Sequence, residues 1–353
     1  MTRIAVLLAA ELTAASIDTV VSRVLPAADQ VQTYRANGRT VLEVTGAAPA
    51  LTERLREWPE VEKVLESAQE KDLLLTRRAL YGSDSVVDVG GVPVGGNAVA
   101  VIAGPCSMDG PETLMRTAEA VRAAGAALFR VGLFKPRTSP YSFQGLGRDG
   151  FEAVREVRRV YGMPIVTEVL SVRDIEDLLE VADMLQVGAR NMQNFPLLSE
   201  LGKIGRPVLL KRGLAATVRE WLSAAEYLLA GGNDEIILCE RGIRTFETTS
   251  RFTTDINSIP VVKELSHLPL IVDPSHSAGH SRLVAPVARA GLAAGADGLI
   301  IEVHAQPEKA LSDGAQALDP IGFGNLMPQL RNVAAVLGRG MVAPPVDEPA
   351  LAG

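Results

Sequence analysis

The sequence predicts an α/β fold, a (β/α)8 barrel preceded by a small α+β domain of ferredoxin-like, βαββαβ order. Three observations predict it. From residue 98 onward, short fully apolar runs alternate eight times with amphipathic stretches, the pattern of parallel strands covered by helices on both faces. Eight such units in about 240 residues fit a closed barrel better than an open doubly wound sheet, and no Gly-x-Gly-x-x-Gly turn follows the first strand. The first 70 residues carry a different, shorter alternation of strand and helix patterns.

Taken in order, residues 3–9 read as a strand and 13–25 as a helix with apolar residues at helical spacing. Residues 31–35 and 39–45 read as strands joined by the turn Ala36-Asn37-Gly38. Residues 51–58 are helical and 61–65 form the last strand of this unit. The unit, residues 1–70, shows no catalytic groups and serves either packing and oligomerisation or amino-acid sensing. A charged connector spans residues 70–78, and residues 85–94, with Gly90-Gly91 at their centre, form a hairpin suited to floor a larger structure. Residues 71–97 are thus linker and floor, and the barrel occupies 98–338. Its strands are read at 99–103, 128–133, 165–168, 184–187, 208–211, 236–239, 270–272 and 299–303. Its helices include 112–124, 151–161, 172–180, 218–230 and 284–294. Small residues and Pro344-Pro345 make 339–353 a flexible tail.

A hydrophobic fraction of 47% and a charged fraction of 22% describe an ordinary soluble globular protein. A net charge of -7 argues against binding to nucleic acid, which would be repelled overall. Only Cys106 and Cys239 are present, far apart, so no disulfide framework is expected and a reducing cytoplasm is the natural compartment. The apolar run after Arg3 is ended quickly by Glu11, unlike a secretory leader, and no apolar run approaches the roughly 20 residues that span a bilayer.

Active sites of such barrels lie at the carboxyl ends of the strands, and here every strand ends in polar or ionisable groups. Strand one leads to Cys106, strand two to Arg130, Lys135 and Arg137, and strand three to Glu168. Strand four leads to Arg190, Asn191 and Gln193, strand five to Lys211 and Arg212, and strand six to Glu240 and Arg241. Strand seven ends in Asp273-Pro274-Ser275-His276, and strand eight in Glu302 and His304.

Cys106, His276 and Glu302 come from strands that are neighbours in a closed barrel, and Asp313 in the following loop can complete a metal sphere. Such mixed soft and hard donors suit Zn, Fe(II), Mn or Co rather than Ca or Mg. No local spacing motif supports this set. Cys106 alone also reads as a small buried hydrophobe, and His276 as a hydrogen-bonded structural residue. Glu302 at the end of a core strand requires a partner, while His280 and His304 are spare candidates. Arg130, Arg190, Lys211 and Arg241 each follow or end an apolar strand, and a bound phosphate is the simplest compensation for clustered buried cations.

These segments resemble the 3-deoxy-D-arabino-heptulosonate 7-phosphate (DAHP) synthases, in the short type I branch with an N-terminal ferredoxin-like domain. The matching text runs from Gly90 to Gly324. It includes Ala103-Gly104-Pro105-Cys106-Ser107, Lys135-Pro136-Arg137-Thr138, Tyr141-Ser142-Phe143-Gln144-Gly145, Gly188-Ala189-Arg190, Leu210-Lys211-Arg212-Gly213, Glu240-Arg241-Gly242 and Asp273-Pro274-Ser275-His276. The first 70 residues match in layout only.

The resemblance implies condensation of phosphoenolpyruvate with erythrose 4-phosphate, the first step of the shikimate pathway to chorismate and the aromatic amino acids. It implies that Arg130, Lys135, Arg190, Lys211 and Arg241 hold phosphoenolpyruvate and that Arg137 and Thr138 hold the aldose phosphate. Cys106, His276, Glu302 and Asp313 would bind one divalent ion (Mn, Fe, Co or Zn), and Lys135, Cys106 and His276 are the expected catalytic residues. A cytoplasmic homo-oligomer, dimer or tetramer, is also expected. Phenylalanine or tyrosine would inhibit through the N-terminal domain, and no chorismate mutase segment is expected at either terminus.

Three rivals remain. The sister synthase of 3-deoxy-D-manno-octulosonate 8-phosphate carries Lys-Ala-Asn-Arg-Ser where this chain has Lys135-Pro136-Arg137-Thr138-Ser139. A Schiff-base aldolase would use Lys211, and a noncatalytic amino-acid sensor would not need polar groups at all eight strand ends.

Overall fold

The apolar run of residues 4–8 does not alternate, because the strand it forms is covered on both faces. This strand, β1 (Arg3–Leu8), is followed by α1 (Ala14–Val24), β2 (Gln30–Ala36), β3 (Arg39–Thr45), α2 (Pro49–Arg56) and β4 (Val61–Ser67). The structure is a computed structural model that describes residues 3–67, 73–136, 139 and 141–344. The four strands form an antiparallel sheet in the order β2-β3-β1-β4, the expected ferredoxin-like arrangement. Asn37 and Gly38 have φ values of 53° and 66°, the pair of left-handed residues that a two-residue hairpin turn demands. Ile4, Val6 and Leu8 pack with Val20, Val24, Leu51 and Leu55 of the helices. Ala5 and Leu7 face the other way and join Leu75, Leu80 and Tyr81 in the core shared with the barrel.

The connection to the barrel is held by hydrogen bonds rather than by length. Backbone N–H groups of Leu74, Leu75 and Thr76 and the Thr76 hydroxyl all donate to the Glu226 carboxylate, at 2.8–2.9 Å. After the short α3 (Arg78–Tyr81), β5 (Val86–Val89) and β6 (Val92–Gly95) form the expected hairpin. Val87, Val89, Val92 and Val94 pack with inward residues such as Ile102, Val166, Ile237 and Ile300. The hairpin meets the start of β7 at Ala98, so it plugs the amino-terminal mouth of the barrel.

The barrel strands are β7 (Ala98–Gly104), β8 (Leu128–Arg130), β9 (Ile165–Val169), β10 (Met184–Val187), β11 (Val208–Lys211), β12 (Ile236–Glu240), β13 (Leu270–Val272) and β14 (Gly298–Glu302). All pair in parallel with their neighbours, and β14 closes onto β7 from Gly298↔Ala100 to Glu302↔Gly104. Helices α4 (Pro111–Ala124), α5 (Phe151–Tyr161), α6 (Ile175–Leu179), α7 (Phe195–Leu201), α8 (Val218–Ala230) and α9 (Ser258–Leu265) follow the first six strands. The short α10 (Pro274–Ala278) precedes α11 (Ser281–Ala293), and α12 (Pro320–Val336) ends the cycle.

Two expectations shift. The helix read at 172–180 opens with a 3-10 turn, Val172–Asp174, before α6. The tail expected from 339 is held at its start: β15 (Gly340–Met341) pairs with β7, and Arg339 donates to the carbonyls of Ala98 and Ala296 and pairs with Asp297. A guanidinium that satisfies open carbonyls at the barrel rim fixes that segment, while 345–353 lie outside the described residues. No helix among the described residues is long and apolar enough to cross a membrane.

Candidate active and metal site

Strand parity decides what faces the barrel axis. Side chains two apart on a strand share a face. The inward apolar residues Leu128, Val166, Met184, Leu209, Cys239, Ile271 and Ile300 are each followed two positions later by a polar side chain. Those are Arg130, Glu168, Gln186, Lys211, Arg241, Asp273 and Glu302. The outward neighbours behave differently. Arg212 pairs instead with Glu240 at 2.9 Å and Asp255 at 2.8 Å beneath the loop after β12. Neither Arg212 nor Glu240 lines the cavity.

Beside β7, Cys106 meets His276 of α10, Glu302 of β14 and Asp313 of the next loop. One ligand atom from each lies within 4.8 Å of all the others. Cys106 Sγ is 3.7 Å from His276 Nε2 and 3.3 Å from Asp313 Oδ2. Glu302 Oε1 is 3.7 Å from His276 Nε2, is fully buried, and accepts no hydrogen bond. Asp273 caps α10 and accepts from His276 Nδ1 at 2.7 Å and from Lys211 Nζ at 2.5 Å. That contact places the ring proton on Nδ1 and leaves Nε2 as a free lone pair aimed at the other donors.

Glu302 Oε1 has only the Arg130 guanidinium, 3.7 Å away, as counter-charge. A buried carboxylate oxygen with no hydrogen bond, beside a thiol, an imidazole and a second carboxylate, favours a cation that joins them. Without one, burial and then Glu302 push the Cys106 thiol up to about 12, against the opposing pull of Lys135 and Arg130. Asp313 sits at about 2, its burial outweighed by His276 and Lys135. Burial lowers His276 despite Asp273 and Glu302, so its imidazole favours the neutral, ligating form. The donor set fits a divalent ion of the Zn, Fe(II), Mn or Co kind.

Next to this cluster lies a cavity of about 330 Å³ lined by Arg130, Lys135, Arg190, Lys211, Arg241 and Arg251, with Glu168 and Gln186. Lys135 Nζ donates to Cys106 Sγ at 2.7 Å and to the Cys106 carbonyl at 3.1 Å. Burial works against the charge on Lys135, but Cys106, Glu168 and Glu302 more than compensate and raise its pKa. Arg130 Nη1 is buried, makes no hydrogen bond and lies 3.7 Å from Glu302 Oε1. Arg241 lies over the Phe252 ring at 4.2 Å, and burial lowers its pKa.

Arg190 differs from the expected buried cation: it lines the cavity from an exposed position, because it follows the strand end on a 3-10 turn. His304 is held by Asp109 at 3.0 Å, and His280 is exposed; neither belongs to the donor cluster. Arg137 and Thr138 lie outside the described residues. Gln186, Arg251, Phe252 and Gln316 were not anticipated. For Arg251 and Phe252 the available signal was their place in a long loop after a barrel strand, where functional groups concentrate.

The sequence profile of the DAHP synthetase I family matches residues 81–335. Phospho-2-dehydro-3-deoxyheptonate aldolase of Thermotoga maritima is 51% identical over 268 residues, covering 76% of this chain and 79% of that one. A 2-dehydro-3-deoxyphosphooctonate aldolase of Syntrophobacter fumaroxidans is 34% identical, over 71% of this chain and 92% of its own length. Among solved structures, the DAHP synthase of Thermotoga maritima aligns with a TM-score of 0.76 and 43% identity, covering 97% of this chain and all of that one. The profile match, the identity and the shared architecture agree: the chain belongs to the DAHP synthetase I family and is an enzyme of the type I DAHP synthase kind.

Proposed function

We propose that the cavity condenses phosphoenolpyruvate with erythrose 4-phosphate on a divalent metal ion, giving DAHP and inorganic phosphate. The observation that carries this reading is the four-donor cluster of Cys106, His276, Glu302 and Asp313 set beside one cation-lined cavity. The donors call for a cation and the cavity lining for an anion.

Arg130, Lys135, Arg190, Lys211 and Arg241 hold the phosphate and carboxylate of phosphoenolpyruvate by fixed electrostatics. Arg137 and Thr138 take the phosphate of the aldose. Cys106, His276, Glu302 and Asp313 hold the metal, which when bound supplies Lewis-acid polarisation of the aldehyde. Carbon 3 of the enol ester attacks the aldehyde carbon, and Lys135 gives a proton to the alkoxide that forms. Water adds at carbon 2, and the bond from that carbon to the phosphate oxygen breaks, releasing phosphate. Glu168, a carboxylate that lines the cavity outside the donor cluster, takes the proton from that water in this reading.

Turnover with both substrates, followed by phosphate release before and after chelation and with metals added back singly, tests the reading. Activity is expected to vanish on chelation and return with Mn, Fe(II), Co or Zn; full activity in the stripped protein would refute the metal role. The relative named as a phosphooctonate aldolase makes an arabinose 5-phosphate arm worthwhile. Preference for that pentose phosphate would move the aldose assignment. Borohydride should trap nothing on Lys211, which is engaged by Asp273.

The same reading gives the N-terminal domain a regulatory role, with phenylalanine or tyrosine as inhibitor of a cytoplasmic homo-oligomer. If inhibition survives removal of residues 1–70, that role is lost.

A further inference from the structure

We propose that Gln316 and Arg251 are positioning residues that brace the two acidic donors, restricting Glu302 and Asp313 to one oxygen each and thereby setting the affinity and ion preference of the site. Gln316 is buried in the 3-10 turn Gly314–Gln316, just beyond Asp313. Its amide nitrogen donates to Glu302 Oε2, and its amide oxygen accepts from Arg251 Nη1 at 2.6 Å. Arg251 also donates to Asp313 Oδ1 at 3.2 Å. In each carboxylate the braced oxygen is the one turned away from the donors. The oxygens that Gln316 and Arg251 leave unbraced, Glu302 Oε1 and Asp313 Oδ2, are those near His276 Nε2 and Cys106 Sγ.

The amide is chemically suited to this place, since it must donate on one side and accept on the other. A carboxylate there would oppose Glu302, and a thioether could not donate and accepts only weakly. Arg251 reaches the site because Gly279 leaves room: a Cβ on Gly279 would lie 2.4 Å from Arg251 Cβ. Asp313 itself holds a left-handed φ of 54°, unusual for a residue with a side chain, and its contact with Arg251 helps to fix it there.

Ion preference follows from donor count. Two one-oxygen acids, a thiol and an imidazole make a sphere of four donors, which zinc-like ions accept. Calcium takes six to eight oxygens and commonly uses both oxygens of a carboxylate. Releasing the brace frees a second oxygen on each acid, so it weakens the binding of transition ions and relaxes the exclusion of calcium.

The inference rests on the metal reading above, and the test separates the two. Cobalt(II) is titrated into the full chain, with affinity read by chelator competition and Cys106 ligation read from thiolate-to-cobalt charge-transfer absorption. Gln316→Met, close in volume, is expected to bind cobalt about 10–100-fold more weakly while keeping the charge-transfer band, and to let calcium compete. Arg251→Lys, which retains the charge but reaches fewer acceptors, should show a smaller loss. It decides the matter alone if Gln316→Met does not fold. Wild-type affinity and calcium exclusion in the folded variants would overturn the brace while leaving the metal site standing. Absence of cobalt binding to the unaltered chain would overturn both.

Discussion

Gly188 illustrates how a single missing carbon supports the site. Its φ of -67° is open to any residue, yet a Cβ there would lie 2.0 Å from Glu168 Oε1. The constraint on this position is thus a close side-chain approach, not backbone conformation, and an added carbon would be met by a shift of the Glu168 carboxylate. Gly188→Ala should displace Glu168 and lower kcat/KM by about tenfold or more, equivalent to roughly 1.4 kcal/mol of transition-state stabilisation. An unaltered kcat/KM would mean that Glu168 can move without consequence. His267 is a residue-scale case away from the chemistry. It is fully buried between Ser85 Oγ at 2.7 Å and the Leu75 carbonyl at 2.9 Å, and burial pushes it down to about 4. The unfolded chain takes up a proton near the ordinary 6.5 that the folded chain refuses until about 4. Its stabilising contribution is thus complete above 6.5 and lost as pH falls through 4, a total of about 3 kcal/mol. Urea unfolding across this window should show the loss, and His267→Gln should flatten it. Equal slopes in the two proteins would contradict the assignment.

At the scale of elements, period two along each barrel strand joins the hydrophobic interior to the reactive rim. Ile300 lies over the hairpin floor and Glu302 beside the metal donors because both point inward from β14. Truncating Ile300 to alanine should cost about 2–5 kcal/mol, measured as a shift in the unfolding midpoint. The same periodicity explains why Lys211 and Arg212, adjacent in sequence, serve different ends. Lys211 faces the cavity, whereas Arg212 joins Glu240 and Asp255 outside it. Glu240 also accepts from the backbone N–H of Gly242 at 2.7 Å, so this buried network steadies the strand end that presents Arg241. Parity was legible in the sequence from residue 128 onward. It separates Arg212 and Glu240, which stand at strand ends, from the side chains that reach the site.

Across the whole molecule, the N-terminal domain is fastened to the barrel by a small number of polar contacts over an apolar seam. Glu226 on α8 receives the connector's N–H groups, and Asp234 accepts from Gly38 N–H at 3.0 Å in the β2–β3 turn. Glu226→Ala would leave the N–H groups of three buried residues, Leu74, Leu75 and Thr76, without their acceptor, at a cost of about 3 kcal/mol or more. Faster limited proteolysis between the domains, with less effect in Glu226→Gln, is the expected result; proteolysis at the original rate in Glu226→Ala would show the seam alone suffices. The net charge of -7 and the cation-lined cavity belong together at this scale. The surface repels polyanions while the barrel mouth attracts small ones.

By itself the sequence determined the repeating barrel, the antiparallel preliminary domain and the positions of most reactive side chains. Each of those is written in local periodicity and in how strands end. Which groups meet was decided only by tertiary structure. Cys106 and His276 are 170 residues apart and become neighbours through closure of β14 onto β7. Arg251 and Gln316, 65 residues apart, meet on loops whose contacts leave no trace in local spacing. Hydrophobic pattern is a property of neighbours along the chain, whereas a donor set is a property of neighbours in space, and only the folded barrel converts the first into the second.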